Sequence, residues 1–126
     1  MPETSPDPFD YDALLRANIE RVFNERDDVL RLAAMAELWS ENPVMYEADE
    51  AFVGREAVSR NVAELHDRLP AETRFTPLAP AMGHHGTALL RWSAAAPGEE
   101  SHVFGTDVAQ LADGRIDRLH VFLEMR

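Results

Sequence analysis

Asp107 sits where an acid is out of place. The stretch F-G-T-D-V-A-Q-L-A-D-G-R-I-D-R-L-H-V-F-L-E, residues 104–124, is two apolar-rich runs around Ala112-Asp113-Gly114. It predicts a β-hairpin in which Gly114 supplies the positive φ of a three-residue turn. Leu111 then pairs with Arg115, Asp107 with Leu119, Gly105 with Val121 and Val103 with Leu123, while Phe104 faces Phe122. Strand alternation puts Val103, Asp107, Ala109, Leu119, Val121 and Leu123 on one side, which is apolar apart from Asp107 and, near the turn, Asp117. Phe104, Thr106, Val108, Arg118, His120 and Phe122 take the other side. An acid on an apolar face is bonded to backbone, solvated at a rim, or placed for chemistry. Gly105, two residues earlier, leaves room for a ligand or a bulge. Desolvation raises a carboxyl pKa, which would make Asp107 a base or acid near neutral pH.

The rest of the inventory narrows the chemistry. There is no cysteine and no lysine; all 12 basic residues are arginine. Thiol nucleophiles, disulfides, cysteine zinc sites, Schiff bases and a P-loop lysine are therefore excluded. Of five histidines, adjacent His84 and His85 read as a loop, since on a strand they would point opposite ways. His102 and His120 fall on the outward side, and His66 falls at the rim of a helix. No three ligands have metal-site spacing, so neither metal nor cofactor is expected. Proton transfer is the chemistry that remains.

The chain has 126 residues and a net charge of −11, with 23 acids against 12 bases. That is one domain with a real core, and its charge argues against nucleic acid and anionic membranes as partners. No apolar run approaches the length of a membrane span. The proline-bearing N-terminus lacks the apolar core of a signal peptide, so a cytoplasmic protein is expected. Residues 1–10 read as a flexible tail, followed by a single domain over 11–126.

The elements that must position Asp107 follow from periodicity. Asp10 is a candidate cap for a first helix over 11–26, striped by Leu15, Ile19, Val22 and Phe23. Asp28 would cap a second helix over 29–39, apolar almost all round and so well buried. Asn42-Pro43 ends it, and 44–48 reads as a short strand. Gly54 opens a third helix over 55–69, with Val58, Val62, Leu65 and Leu69 on one side, stopped by Pro70. Strands follow at 73–78 and 87–94, then the hairpin. Three helices followed by a mostly antiparallel sheet is an α+β layout. Trp39 and Trp92 read first as core, with Trp92 alternating with Leu90 and Ala88 so that it can share an inner wall.

Three stretches, A-E-L-W-S-E-N-P-V-M-Y-E, the downstream G-R-E-A-V, and G-T-D-V-A-Q-L-A-D-G-R-I, resemble in order and spacing the SnoaL-like polyketide cyclases of the nuclear transport factor 2-like superfamily. The resemblance covers about residues 11–124. It implies a cone-shaped, cystatin-like roll in which three helices wrap a strongly bent sheet around an apolar pocket. It also implies a homodimer through the outer sheet face, which carries Phe104, His120 and Phe122. In the ketosteroid isomerases of that superfamily a base carboxylate lies on the first strand after the helix-ending aromatic, which matches Glu47 here. A second carboxyl lies on the strand before the last turn, matching Asp107. The isomerases' first-helix tyrosine has no counterpart, since Ile19, Val22 and Phe23 carry no hydroxyl. The Arg–Asp pair of the related epoxide hydrolases is also missing, because Gly105 stands two before Asp107. The pocket lining expected beside Glu47 and Asp107 is Ile19, Phe23, Trp39, Asn61, Val62, Leu65, Trp92, Gly105, Leu119 and Val121. The expected function is binding of a small apolar or aromatic ligand, with acid–base chemistry of isomerase or cyclase type on a carbonyl compound. The alternative is a non-catalytic ligand-binding or dimeric interaction module of the same fold.

Overall fold

The computed structural model describes residues 7–125. Of the expected N-terminal tail, residues 1–6 lie outside the described residues. Asp7 to Asp10 are held against the first helix: the Asp7 carboxylate accepts from the Phe9 amide at 3.0 Å and from the Tyr11 hydroxyl. The Phe9 ring meets Tyr11 edge-on at 5.0 Å.

Helix α1 runs Tyr11–Asn18, with Asp10 capping it by accepting from the Ala13 amide at 2.9 Å. It continues as a π-helix over Ile19–Phe23, closed by the bond from Asn24 N to the Ile19 carbonyl at 2.8 Å. Rather than at Arg26, the helix ends at Phe23, where the Asn24 side-chain amide turns to the sheet. It donates to the Phe75 carbonyl at 2.8 Å and accepts from the Phe75 amide at 2.7 Å, standing in for a strand neighbour. Helix α2, Asp28–Leu38, is capped by Asp27, one residue earlier than expected, through the Leu30 amide at 3.0 Å. It is not buried all round. Val29 and Leu30 are exposed, whereas Arg31 is fully buried and bonded to the Ser59 hydroxyl, the Glu25 carbonyl and Asp28. Helix α3 covers Arg55–Arg68, entered at Gly54, whose φ of 94° a side chain would resist.

Trp39 leaves α2 and begins strand β1, Trp39–Tyr46. The other strands are β2 (Ala51–Val53), β3 (Arg74–Pro77), β4 (Met82–His84), β5 (Thr87–Ala95), β6 (Val103–Ala112) and β7 (Arg115–Met125). The sheet order is β2-β1-β7-β6-β5-β3, with β4 also on β5. Among the described residues only the β1–β7 pair is parallel, so the sheet is mixed and open at its ends. The two short strands β2 and β4 were not expected. His84 ends β4, and His85 occupies a left-handed position (φ 51°) in the tight turn to β5. There the His85 ring swings back, bringing its Nδ1 to 2.9 Å from that of His84, so the pair converges instead of diverging.

The hairpin is present with a different turn. Asp113 and Gly114 both have positive φ, so the loop has two residues, and Ala112 pairs with Arg115. A two-residue loop alone would turn β7 over relative to the expected register. A bulge between Gln110 and Leu111 adds one residue on the β7 side, and Asp107 pairs with Val121, Ala109 with Leu119 and Gly105 with Leu123. The register therefore slides by two residues and the faces survive beyond the bulge, whereas nearer the turn Ile116, not Asp117, takes the inner side. Phe104 lies opposite Glu124, not Phe122, which instead faces Thr106. The helices cover one face of the sheet. Between them lies a core that includes Leu15, Ile19, Val22, Met35, Trp39, Met45, Val58, Val62, Leu90, Ile116 and Leu119.

Candidate active site

Asp107 projects from the middle of β6 onto the helix-covered face and is 3 % exposed. Its sheet neighbours are Leu90 on β5 and Val121 on β7. One side-chain bond reaches it: the Trp92 indole N–H donates to Oδ1 at 2.9 Å. Burial among apolar neighbours pushes the carboxyl up to about 7, and the Trp92 bond, which favours the charged form, pulls it part of the way back. At neutral pH Asp107 is poised between acid and base.

Trp92 is positioned by Gly105, its register partner on β6. A Cβ at 105 would overlap the indole. The room that Gly105 leaves is thus occupied by Trp92. The indole meets Phe75 edge-on at 5.1 Å, and Phe75 meets Phe23 at 6.0 Å. This line of rings joins Asp107 to the end of the π-helix.

Glu47 follows the last residue of β1. Tyr46 pairs with His120, so Glu47 comes beside Val121 and shares the inner face with Met45. Its Oε2 accepts from Asn61 Nδ2 on α3 at 3.1 Å, and its backbone amide closes a turn onto the Glu50 carbonyl at 2.9 Å. Val121 pairs with Asp107 and also lines the groove beside Glu47, so it stands between the two acids. A groove of about 260 Å³ opens beside Glu47, lined by Tyr46, Ala48 and residues 120–123.

The other expected lining residues divide into two groups. Ile19, Phe23, Trp39, Val62 and Leu119 are buried members of the core, and Leu65 is half-buried against it. Asn61, Trp92 and Val121 each stand next to a carboxylate residue. Trp39 meets neither acid: its indole N–H donates to Asn18 Oδ1 at 2.8 Å, toward the turn end of the hairpin, where Trp39 pairs with Ile116. Among the described residues no three His, Cys, Asp or Glu side chains group to hold a metal ion, and no helix is long and apolar enough to cross a membrane.

The family model of the SnoaL-like domain matches residues 15–119. The chain belongs to the SnoaL-like family. The SnoaL-like chain is similar in fold to a candidate isomerase of that family from Agrobacterium tumefaciens, with a TM-score of 0.80 and 23 % identity over 89 % of this chain and 95 % of the other. A candidate ketosteroid isomerase from Kribbella flavida aligns with a TM-score of 0.69 and 19 % identity, covering 91 % and 78 % of the two chains. An NTF2-like protein of unknown function from Mesorhizobium loti aligns at 0.63 and 24 %, covering 96 % and 99 %. No curated protein matches the sequence. These likenesses establish the α+β cone of the nuclear transport factor 2-like fold.

Two of the buried polar side chains that the sequence reading of this SnoaL-like chain did not place inside also carry an atom without a partner. Asn18 is 1 % exposed, and with its oxygen held by Trp39 its Nδ2 has no partner. It stands three residues after Leu15 on the stripe of the first helix, so a polar residue on an apolar stripe was the available signal. His66 is buried, not at the rim. Its Nε2 lies 2.7 Å from the Phe23 carbonyl, and its Nδ1 is buried without a partner. Desolvation lowers its pKa and so favours the neutral ring, with its Nε2–H donated to Phe23; the carbonyl, which would favour the charged ring, opposes that shift only in part. His66 is four residues after Val62 and eight after Val58, which placed it on the buried face.

Proposed function

We propose that this SnoaL-like protein binds a small apolar carbonyl compound in its cone and moves a proton on it, in the manner of an isomerase or cyclase. The observation that carries this reading is the near-complete burial of Asp107, a carboxyl with a pKa near 7 and a single side-chain hydrogen bond. As carboxylate, Asp107 takes the proton next to the carbonyl and leaves an enolate. Where the ketone carries a β,γ double bond the enolate is a dienolate, and Asp107 as carboxylic acid returns that proton to the γ carbon, which moves the double bond into conjugation and completes an isomerisation. In a cyclisation the enolate carbon attacks a second carbonyl of the same molecule, and the new alkoxide takes the proton. Glu47, oriented by Asn61, supplies a second carboxylate at the border of the same face.

Deuterium exchange tests this reading. An apolar ketone such as 2-tetralone, incubated in D₂O, should exchange its α-protons faster with the protein than in buffer. Asp107→Asn should abolish that acceleration; an unchanged rate in the variant would remove Asp107 from the chemistry.

A second reading has its own support. The Trp92 indole fills the space over Gly105 and packs on Phe75, as the filled cone of a non-catalytic module would require. In that case 2-tetralone exchanges at the buffer rate with wild type as well. Under either reading the chain is proposed to form a homodimer through the outer face of the sheet, where Phe122 is 59 % exposed and Phe104 and His120 lie on the same side.

A further inference from the structure

Among the described residues no cation answers the carboxylate of Glu47 in its groove. At about 260 Å³ it falls just short of the roughly 300–1,000 Å³ of sites for drug-sized ligands, so it suits one end of a small molecule. Its walls are aromatic and aliphatic. The Tyr46 and His120 rings stack at 4.7 Å and 20°, and Phe122 and Leu123 are more than half exposed. Glu47 itself is half-buried. Asn61, 5 % exposed, fixes it by donating to Oε2. Among the described residues the ion pairs join Arg16 to Asp12, Arg21 to Glu37, Arg31 to Asp28 and Arg118 to Asp117, and none reaches Glu47. A carboxylate drawn partly out of water and left without a counter-ion carries a desolvation cost that a bound cation would offset. Tyr46 and Phe122, aromatic residues that line the groove, add an attraction of the same sign, since aromatic rings draw cations. So does the whole molecule, whose charge of −11 concentrates cations and repels anions.

We infer that the groove seats the ammonium or guanidinium end of the ligand, with Glu47 as its counter-ion and Asn61 as the residue that positions Glu47. The ligand is then an apolar compound bearing a basic nitrogen. This rests on the small-molecule-binding part of the reading above, and it gives Glu47 a recognition role distinct from the proton transfer of Asp107.

Two probes with one carbon skeleton test it. 2-Phenylethylamine is a cation at neutral pH, and 2-phenylethanol is its uncharged counterpart. Titration calorimetry at low salt should show the amine binding wild type at least about tenfold more tightly than the alcohol. That preference should shrink in molar salt, because a partly exposed ion pair is screened. Glu47→Gln, which keeps the size of the side chain and its acceptor for Asn61, should bring the two probes level. Equal binding of the two probes to wild type, no binding of either at millimolar concentration, or a preference that survives Glu47→Gln would each overturn the inference. Loss of ketone exchange in Asp107→Asn with no amine preference in wild type would sink the groove assignment alone. An amine preference without any ketone exchange would sink the catalytic reading alone.

Discussion

Two opposed effects act on Asp107, and each can be removed separately. Burial raises its pKa from 3.8 to about 7, so between those values the folded chain keeps a proton that the unfolded chain gives up. Stability therefore falls as pH rises from about 4 to about 7, and above that the penalty of the buried charge is constant. Asp107→Asn removes the ionisation while keeping an oxygen for the Trp92 indole. The variant should match wild type near pH 4 and exceed it by about 2–4 kcal/mol near pH 8, read from urea unfolding at the two pH values. A wild type at least as stable as the variant at both would show that the charged form is well solvated. Trp92→Phe removes the one bond that favours the carboxylate, so the Asp107 titration should move higher, followed by the ¹³C shift of its carboxyl. If Asp107 serves as the base, the pH at which kcat/KM rises should move with it. Asn18 is a matching case in the core. Asn18→Ala strands the buried Trp39 indole N–H and should cost about 1–3 kcal/mol, measured in the same unfolding assay.

At the scale of elements, the hairpin shows what pattern can and cannot reveal. Which side Asp107 takes was legible, because alternation on β6 and β7 is a local property of apolar spacing. Register was not, because Asp113-Gly114 makes a two-residue turn and the bulge at Gln110/Leu111 corrects its parity only in the context of the whole sheet. Helix α3 was legible nearly to the residue, having a glycine at one end and a proline after the other. The π-helical turn was not, because it exists for the sake of a long-range partnership between Asn24 and Phe75. Arg31 deceived in a similar way: its burial depends on Ser59 and the Glu25 carbonyl, neither of which helix periodicity can announce. Glu47 was singled out through family likeness and Asn61 was expected only as lining; the bond between them needed the packing of α3 on β1. The close contact at Gly105 yields an element-scale prediction. Gly105→Ala must push the Trp92 ring away, costing about 1–3 kcal/mol as an overpacked core does. It should also loosen the Trp92 bond to Asp107 and raise the Asp107 titration, as Trp92→Phe does. An alanine variant with wild-type stability and wild-type titration would show that β6 and β5 separate easily there.

For the whole molecule the open question is what covers the outer sheet face. Phe122 stands out from it, across from Thr106, while the helices occupy the opposite face. A second copy of the chain is the proposed cover, even though two bodies of charge −11 repel at long range. That repulsion is screened within about 8–10 Å at physiological salt, whereas apolar burial at a contact is not, so short-range packing decides the outcome. Phe122→Arg separates the two effects. It makes each chain less negative, which favours approach, but it puts an unpaired charge at the contact, where desolvation costs several kcal/mol. If the face is the interface, the arginine variant should sediment as a monomer at low micromolar concentration while Phe122→Leu, which keeps the apolar surface, remains a dimer. An arginine variant that stays dimeric would place the interface on another surface, and a wild type that is monomeric at that concentration would leave Phe122 as a wall of the Glu47 groove alone.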